Sequence, residues 1–479
     1  MAGLRRRAVV MVWDGLRPDY VSPETTPRLH ALAERGVRFT DSHAIFPTVT
    51  RCNAASIATG ALPAGHGIPG NEFVLPDGDG EVLSAANAGH LERLREWRGG
   101  RVLLRPTLAE HVIAAGGDAV VVGTGSPGSS LLHHPRVREL GGRIYNQALW
   151  LGDSRAAMES MLGPMPEGTL PNTVQNAYFT RLITDLLLPG LPHLVVYWHT
   201  DPDRTAHVHG VGHPETMRSV RDADASLGAI LDTIGRIGLG SSTNMIVTSD
   251  HGFSTMGPPL DLPGALAAAG VAWSLESRDV LIAANGIYVH DPYRREERVA
   301  RVVRALQALD GIGCLFTGAR GAPVAPGTLP LAAVGHGGEL EPDILFSPSW
   351  SDEPNAHGFP GTRPAEWAGY AANHGALSPW EVRNTLIAAG PDFKPGLVDD
   401  VPAAATDIVP TLLHVMGLAP DAPLDGRVLA EALVGGPAPA EITVARETLT
   451  ASAGGYRQSL RRSRVGDTLY VDSGDAERA

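Results

Sequence analysis

Short runs of β-branched and other apolar residues recur along the chain, and helical patterns lie between several of them. Most of these runs are continuously apolar, as expected for parallel strands that are covered on both faces. The longest helical pattern, Pro214–Gly235, carries apolar residues at helical spacing. This alternation predicts an α/β fold around a largely parallel sheet. The predicted strands are Val9–Trp13, Ala119–Gly123, Leu194–Trp198, Met245–Ser249, Asp279–Ala284, Asp343–Ser347 and Thr385–Ala389.

Capping and breaking residues predict further helices. Thr26 stands before Pro27 as an N-cap, and Gly36 follows as a stop signal. Further helical patterns cover Pro106–Gly116 and Arg295–Leu309, and a shorter one covers Ala54–Thr59.

The length of 479 residues suggests one large domain with insertions, or two domains. Residues 258–342 carry their own predicted helix and strands, and we expect them to form a smaller inserted cap region. The polar, Gly-rich segment Asp77–Arg105 is a second interruption. The main domain is then expected to comprise residues 1–257 and 343–440. Residues 441–479 are predicted to form two strands around Gly454-Gly455 and then a frayed end.

Charge and cysteine content exclude several classes of protein. Lys and Arg total 39 against 52 Asp and Glu, a net charge of −13. A protein that binds a nucleic-acid polymer is expected to carry a basic stripe instead. Small anionic substrates are still compatible, because bound metal ions can make a local site positive. The two cysteines, Cys52 and Cys314, are too few for a disulfide framework or a Cys-rich zinc site.

The sequence contains no run near the roughly 20 apolar residues that cross a bilayer, so no membrane partner is expected. The basic Met1–Arg7 and apolar Ala8–Trp13 are interpreted as the approach to a first strand rather than a signal peptide, because the apolar run is short and Asp14 follows at once. We therefore expect a cytoplasmic protein, with a trimmed leader as the open alternative. The oligomeric state is not predicted.

Acidic residues and histidines follow three of the predicted strands. Asp14 follows the first, Asp203 and His207 follow Leu194–Trp198, and Asp250-His251 follows Met245–Ser249. Ligands of open α/β sheets bind outside the carboxyl ends of the strands, so we expect these side chains to converge. Carboxylates and imidazoles without a thiolate suit Zn²⁺ or Mn²⁺.

A fourth segment places a hydroxyl beside them. Thr50 precedes the helical Ala54–Thr59 and is expected at that helix's N-terminus, where unpaired N–H groups attract anions. A metal ion on its oxygen would favour the nucleophilic alkoxide. A plain N-cap is the alternative.

Six segments in order resemble the alkaline phosphatase superfamily, and most closely its nucleotide pyrophosphatase/phosphodiesterase branch. The resemblance implies a three-layer α/β sandwich and hydrolysis of phosphate diesters or nucleotide pyrophosphate bonds through a phosphoryl-threonine intermediate. The segments are VVMVWDGLRPD at 9–19, FPTVTRCN at 46–53, TGALPAGHGIPGN at 59–71, DPDRTAH at 201–207, SDHG at 249–252 and NHGALSP at 373–379.

The resemblance also implies roles for individual residues around two Zn²⁺ ions, with Mn²⁺ as the alternative metal. Asp203, His207 and His374 resemble the ligands of one ion, and His336 is a rival to His374. Asn71 resembles the asparagine that holds a phosphoryl oxygen together with the backbone N–H of Thr50. The ligands of the second ion would be Asp14, Asp250 and His251, with Thr50 bridging toward it as the nucleophile.

Two departures from the family pattern concern the substrate. Arg51 stands where the family often has an aromatic residue that stacks on a nucleobase, and Trp198 or Tyr197 is the candidate for another stacking face. Arg51 and Arg204 are candidates for the added cation of a monoesterase. The alternatives are therefore a phosphomonoesterase or phosphonate hydrolase, a phosphomutase, or an inactive zinc-binding protein. A small phosphate ester is the expected substrate.

Overall fold

The computed structural model describes residues 4, 6–76, 80–273, 279–290, 292–366 and 369–479. Residues 77–79 of the predicted Asp77–Arg105 interruption, and residues 274–278 and 291 of the predicted cap, lie outside this part. The strands, in chain order, are β1 Arg7–Trp13, β2 Val37–Phe39, β3 Ser42–His43, β4 Glu72–Val74, β5 Val82–Ser84, β6 Ala119–Gly123, β7 Arg143–Asn146, β8 Leu149–Leu151, β9 Leu194–His199, β10 Thr243–Thr248, β11 Ser254–Pro259, β12 Val280–Ala283, β13 Gly286–Val289, β14 Ile312–Thr317, β15 Leu329–Pro330, β16 Ile344–Pro348, β17 Thr362–Ala365, β18 Ala372–Asn373, β19 Leu386–Ala389, β20 Leu397–Asp399, β21 Ala403–Ala404, β22 Ala445–Ala453, β23 Tyr456–Val465 and β24 Thr468–Arg478.

Helices occupy many of the connections between these strands. They are α1 Pro27–Glu34, α2 Thr50–Thr59, α3 Pro63–His66, α4 Ala88–Trp97, α5 Leu108–Ala114, α6 Pro127–His133, α7 Val137–Leu140, α8 Arg155–Leu162, α9 Thr173–Arg181, α10 Asp203–His209, α11 Pro214–Arg236, α12 Leu262–Ala268, α13 Arg295–Ala308, α14 Pro379–Val382 and α15 Ile408–Met416. A π-helical turn, Leu182–Leu187, follows α9.

The central sheet has nine strands in the order β20-β2-β19-β10-β1-β9-β6-β7-β8. Among the described residues five of its eight strand pairs are parallel, and the antiparallel pairs involve β19 and the edge strand β8. The prediction of a largely parallel sheet is therefore confirmed.

Both faces of the sheet are covered, which explains the continuously apolar strands. In β1, Val10 and Val12 belong to one hydrophobic cluster together with residues of α2, α5 and α15. Val9 and Met11 point to the opposite face and pack with residues of α1, α9 and α11. Successive strand residues alternate between faces, so a strand buried on both sides has few polar positions. The three-layer α/β sandwich is confirmed.

The N-terminus of α1 shows how the layers are joined. Thr26 occupies the predicted N-cap position, but its side chain does not cap the helix. Asp224 of α11 accepts hydrogen bonds from Arg28 N and Leu29 N, at 3.0 and 2.8 Å. A carboxylate from a neighbouring helix thus satisfies the free N–H groups that a local hydroxyl was expected to satisfy.

Two predicted strands, Asp279–Ala284 and Asp343–Ser347, belong to a second sheet rather than to the central one. β12 and β16 lie in a five-stranded sheet of order β12-β13-β16-β14-β15, whose pairs are antiparallel except for β14 with β15. Their apolar residues are covered by α12 and α13 and by other strands rather than by the central layers. β12 and β13 form a hairpin whose two connecting residues are Ala284 and Asn285. The predicted cap limits of 258 and 342 stay a prediction.

The C-terminal segment contains three strands rather than two strands and a frayed end. β22, β23 and β24 form an antiparallel sheet, and β24 occupies the residues that were expected to fray. Leu460 and Val471 from this sheet pack with Phe316 of β14 in one apolar cluster. Polar residues on the other face obscured the strand pattern. In the described residues we find no helix with the length and apolar composition needed to span a membrane.

Candidate metal and phosphoester site

Three carboxylates lie at the carboxyl edge of the central sheet. Asp14 directly follows β1, Asp250 lies two residues beyond β10, and Asp203 begins α10 just after β9. β10, β1 and β9 are parallel neighbours, so these ends meet. Backbone groups tie them together, since Gly15 N donates to Asp250 Oδ1 at 3.0 Å and Asp203 N donates to Asp14 O at 2.8 Å.

The turn after Asp14 requires glycine. Gly15 has a φ of +73°, and a Cβ added there would lie 2.6 Å from the ring of Phe253. A side chain would therefore be strained both by its backbone conformation and by the contact. The Asp-Gly pair lets the chain leave β1 sharply while Asp14 faces the site.

One group of potential ligands consists of Asp14, Asp250 and His251. His251 Nε2 lies 3.6 Å from Asp14 Oδ1 and 3.2 Å from Asp250 Oδ2. The same nitrogen lies 3.4 Å from Thr50 Oγ1. The residues proposed for one metal ion thus surround the proposed nucleophile.

The other predicted group is Asp203, His207 and His374. The Nε2 atoms of both histidines lie 3.2 Å from Asp203 Oδ1. Asp203 and His207 are four residues apart on α10, which places them on one helical face. His374 immediately follows β18. The two groups adjoin, because the rings of His251 and His374 stack with centroids 3.5 Å apart.

All three imidazoles are oriented in the same way. His207 Nδ1 pairs with Ala372 O at 3.0 Å, His251 Nδ1 with Gly252 O at 2.9 Å, and His374 Nδ1 with Thr48 O at 2.7 Å. A carbonyl oxygen only accepts, so each Nδ1 carries the proton. In the neutral ring, Nε2 then presents its lone pair to the carboxylates. This is the usual outer-shell arrangement of metal-binding histidines.

The carboxylates themselves point to a cation. Asp14 Oδ1, Asp203 Oδ1 and Asp250 Oδ2 are buried, and imidazole Nε2 atoms lie 3.2 to 3.6 Å from them. Buried charges are costly unless they are paired or bind a metal. Oxygen and imidazole ligands without thiolates fit Zn²⁺ or Mn²⁺. The donor set therefore fits the predicted metal centre, with Asp14, Asp250 and His251 on one side and Asp203, His207 and His374 on the other.

The charges at this edge shift one another's pKa. Burial, followed by Asp250 and Asp203, raises the pKa of Asp14 well above its usual value. Burial acts in the same direction on Asp203, but His207 and His374 hold its pKa well below the usual value. Burial and His251 lower the pKa of His374 to about 3, so that ring is neutral at physiological pH.

Thr50 is the first residue of α2 and is 98 % buried, with only 2 % of its surface exposed. Its hydroxyl lies beside the helix N-terminus, where backbone N–H groups and the helix dipole favour negative charge. Asn71 approaches from a loop, and its Oδ1 accepts a hydrogen bond from Arg51 N at 2.9 Å. This bond fixes the amide, so Asn71 Nδ2 is left as a donor for a bound anion.

The predicted stacking role of Trp198 or Tyr197 is wrong. Trp198 is 1 % exposed and Tyr197 is fully buried, so neither presents a ring face to a substrate. Trp198 Nε1 instead donates to Asp14 Oδ2 at 2.9 Å. The indole therefore orients a proposed metal ligand. Strand alternation places the two rings on opposite faces of a sheet that is covered on both sides.

The structure also separates His374 from its rival. His336 Nδ1 lies 2.6 Å from Glu341 Oε2, and His336 Nε2 donates to Phe46 O at 2.9 Å. Burial opposes the charge of His336, but Glu341 and the backbone oxygen of Phe46 raise its pKa. Both ring nitrogens of His336 thus have partners, Glu341 and the backbone oxygen of Phe46, and neither partner is a proposed metal ligand.

A cavity of about 210 Å³ opens onto Thr50. Sequence reasoning missed several of its lining residues, because they come from short loops without a recognisable motif. Tyr370 is 49 % exposed, and its ring lies 4.8 Å from that of His207. Ala284 has a φ of +49° at the tip of the β12–β13 hairpin, which is unusual for a residue other than glycine. The lining is Val49, Thr50, Arg51, Asn71, Asp203, His207, Ala284, Asn285, Glu366, Tyr370, Asn373 and His374.

A buried ion network supports one side of the cavity, and sequence reasoning missed it too. Arg363, 1 % exposed, lies 2.9 Å from Glu381 and 2.6 Å from Glu366. Glu381 Oε2 accepts hydrogen bonds from Ala376 N at 2.6 Å and from the Thr48 hydroxyl at 3.4 Å. The network therefore connects the loop that carries His374 with the loop that precedes Thr50.

The sequence is similar to those of several curated proteins. Human ectonucleotide pyrophosphatase/phosphodiesterase family member 7 is 25% identical over 254 residues, which are 53% of this chain and 49% of the relative. The Bos taurus bis(5'-adenosyl)-triphosphatase ENPP4 is 24% identical over 258 residues, 52% of this chain and 48% of the relative. The chain thus spans about half the length of these curated relatives.

Solved structures share the fold. Human ectonucleotide pyrophosphatase / phosphodiesterase 5 aligns with a TM-score of 0.63 and 18% identity, covering 89% of this chain and 100% of that chain. An inactive variant of the murine protein in complex with AMP gives a TM-score of 0.62 and 19% identity, covering 90% of this chain and 100% of that chain. The type I phosphodiesterase / nucleotide pyrophosphatase profile matches residues 8–320. The expected resemblance is confirmed, and the chain belongs to the type I phosphodiesterase / nucleotide pyrophosphatase family.

Proposed function

We propose that this protein is a metal-dependent hydrolase of phosphate diesters or pyrophosphate bonds, with Thr50 as its nucleophile. The observation that carries the proposal is the convergence of Asp14, Asp203 and Asp250 around one buried hydroxyl. Each has a buried carboxylate oxygen that lies 3.2 to 3.6 Å from an imidazole Nε2 atom. Three imidazole Nε2 atoms face the same space.

The relatives support the reaction class. The names of the two curated relatives describe a pyrophosphatase/phosphodiesterase and a triphosphatase, both of which act on phosphate esters or anhydrides. The AMP complex of the murine neighbour was obtained with an inactive variant in which threonine is replaced by alanine. We extend this chemistry to the present chain because its own Thr50 lies among the potential metal ligands.

Two divalent ions, Zn²⁺ or alternatively Mn²⁺, would be held by the two ligand groups, and they would lower the pKa of the bound hydroxyl and neutralise charge on the phosphoryl group. Thr50 Oγ1 would form a bond to phosphorus as the bond to the leaving oxygen breaks, and the leaving group would depart with a proton. Water would then attack phosphorus and release Thr50. The Thr50 N–H and Asn71 Nδ2 are donors for the equatorial oxygens.

The test compares Thr50→Ala and Thr50→Ser on bis(p-nitrophenyl) phosphate, with zinc content measured on the same samples. We expect the alanine variant to lose at least about 10³-fold in kcat while the serine variant keeps measurable turnover. Thr450→Ala on β22, whose side chain is exposed, is the matched control and should be unchanged.

A second measurement examines the intermediate directly. Rapid acid quenching followed by mass spectrometry should find one phosphoryl ester on the peptide that contains Thr50, and none in Thr50→Ala. Near-normal turnover of a zinc-loaded Thr50→Ala protein would reject the nucleophile. A wild-type protein that carries zinc but cleaves neither a diester nor a pyrophosphate would reject the proposed function.

A further inference from the structure

Arg51 is the cationic side chain nearest the proposed nucleophile along the chain. It is the second residue of α2, directly after Thr50, and it lines the cavity. Its backbone N–H is held by Asn71 Oδ1 at 2.9 Å. The position of its Cα is therefore fixed by the same amide that we assign to phosphoryl binding.

The guanidinium of Arg51 has no acidic partner in the part of the chain that the structure describes. Its Nε is buried and makes no hydrogen bond there. The residue as a whole is half-buried. A guanidinium that loses part of its hydration is costly without a counter-charge. In contrast, Arg17 pairs with Asp19 at 2.6 Å, and Arg363 pairs with Glu366 and Glu381.

The acidic residues near Arg51 have other partners or other proposed roles. Glu366 lines the same cavity, but its carboxylate lies 2.6 Å from Arg363. Asp14 is close enough for the charge of Arg51 to lower its pKa, although no oxygen of Asp14 lies within ion-pair distance. Asp14 is also a proposed metal ligand. Arg51 thus places beside Thr50 a cation without a counter-charge in the described part of the chain. The N–H groups of its planar guanidinium can pair with two oxygens of a phosphate or a carboxylate.

We propose that Arg51 binds a second negative charge of the substrate, next to the phosphoryl group that Thr50 attacks. This inference rests on the proposed function and adds a requirement for the substrate, namely a further negative charge beside the phosphoryl group under attack. The second charge has two sources with the same chemistry. It is either the additional ionised oxygen of a phosphate monoester or the neighbouring phosphate of a pyrophosphate.

The test measures kcat/KM of the zinc-loaded enzyme for three substrates. Bis(p-nitrophenyl) phosphate has one charge, p-nitrophenyl phosphate has two on the reacting phosphorus, and ATP has further charges on neighbouring phosphates. Arg51→Gln should lower kcat/KM for a doubly charged substrate by about 10- to 100-fold, the range of a charge-assisted hydrogen bond. The value for bis(p-nitrophenyl) phosphate should change less than about 3-fold, within the spread expected of a lost neutral contact.

The pattern of losses identifies the source of the charge. A loss confined to p-nitrophenyl phosphate indicates a monoester substrate, and a loss confined to ATP indicates a pyrophosphate. Arg51→Lys keeps the charge without the planar fork and should recover part of the loss. Arg221→Gln, an exposed substitution on α11, is the matched control for the change in net charge. Equal losses on all three substrates would overturn the inference. So would the absence of any loss on both p-nitrophenyl phosphate and ATP.

A binding measurement separates this inference from the proposed function. Titration calorimetry of the zinc-loaded protein with inorganic phosphate and with pyrophosphate should show about 10-fold weaker binding of at least one of them to Arg51→Gln. If the wild type cleaves none of the three substrates, the proposed function fails, but this difference in binding is still expected. Equal binding by wild type and Arg51→Gln, at equal zinc content and melting temperature, would reject the role of Arg51.

Discussion

The Nη2 atom of Arg363 donates a hydrogen bond to the backbone oxygen of His374, at 3.0 Å. The donor is a buried cation whose charge is balanced by Glu366 and Glu381. His374 in turn donates from Nδ1 to Thr48 O, two residues before Thr50. Arg363 therefore positions His374, a proposed metal ligand, through its backbone oxygen. Its charge is balanced by Glu366 and Glu381 and not by the aspartates of the proposed metal centre.

Replacing Arg363 with Gln should destabilise the fold by about 3–5 kcal/mol, because two buried carboxylates lose their partner. Urea unfolding at pH 7 measures this effect. The variant should also retain less zinc after dialysis, since the His374 loop loses its anchor. Arg457→Gln on the surface of β23 is the control, with an expected change below about 1 kcal/mol. Unchanged stability would show that the network is not important for the fold.

Trp198→Phe removes the N–H that holds Asp14 while keeping an aromatic ring in the buried position. We expect the affinity for zinc to fall by about 10- to 100-fold, as is typical when a hydrogen bond to a metal ligand is lost. Competition with a chromogenic chelator gives the dissociation constant. Trp350→Phe is the matched control, because its Nε1 donates to Gly474 O away from the site. Equal affinities in both variants would contradict the role assigned to Trp198.

Zinc should raise the melting temperature, because the ion binds the assembled carboxylates and not the unfolded chain. At a free concentration about 1,000 times the dissociation constant the stabilisation is about 4 kcal/mol. Differential scanning calorimetry before and after chelation measures it. Asp250→Asn should reduce the zinc-dependent shift, whereas Asp232→Asn, on the exposed surface of α11, should keep it. A melting temperature that does not respond to zinc or manganese would exclude the metal centre.

The ion pair between His336 and Glu341 should make stability depend on pH. Burial opposes protonation, but Glu341 raises the pKa of His336 above its ordinary value of 6.5. The charged histidine therefore contributes its full stabilisation below about pH 6.5. That contribution is lost as the pH rises through the higher value in the folded protein.

The difference in unfolding free energy between wild type and His336→Gln should accordingly be larger at pH 6 than at pH 9. Glu341→Gln and the double variant complete a double-mutant cycle that isolates the pair. A coupling energy that is the same at both pH values would contradict a charged His336.

The sequence correctly predicted the α/β class, the central strands and the family. β1, β9 and β10 are recognisable because both faces are buried, which makes their apolar character continuous. β12 and β16 carry the same apolar pattern in a different sheet, since a strand covered by helices on one side and by strands on the other is also continuously apolar. β24 was missed because pairing with β23, not local composition, makes it a strand.

Some features of the candidate site were likewise predicted from the sequence, and others were not. The structure brings Asp14, Asp203 and Asp250 together as the topology predicted, and their role as metal ligands stays a prediction. The resemblance favoured His374 over His336, but the residues themselves did not distinguish the two, because both are followed by glycine. The burial of Trp198 could not be predicted from the sequence either. The expected cytoplasmic location, the domain limits, and the number and identity of the metal ions also stay predictions.

The sequence alone determined which chemical groups are present and that they stand at the ends of parallel strands, because strand periodicity and Asp-Gly turns are local properties of the chain. Tertiary packing decided that His374 faces the aspartates, that Arg51 lines the cavity without a counter-charge among the described residues, and that Tyr370 is exposed there. Those outcomes depend on how segments hundreds of residues apart come together. Arg51 and Asn71, for example, line the same cavity as Glu366 and Tyr370. Burial and charge pairing arise only when these segments are packed together, so no local pattern carries them.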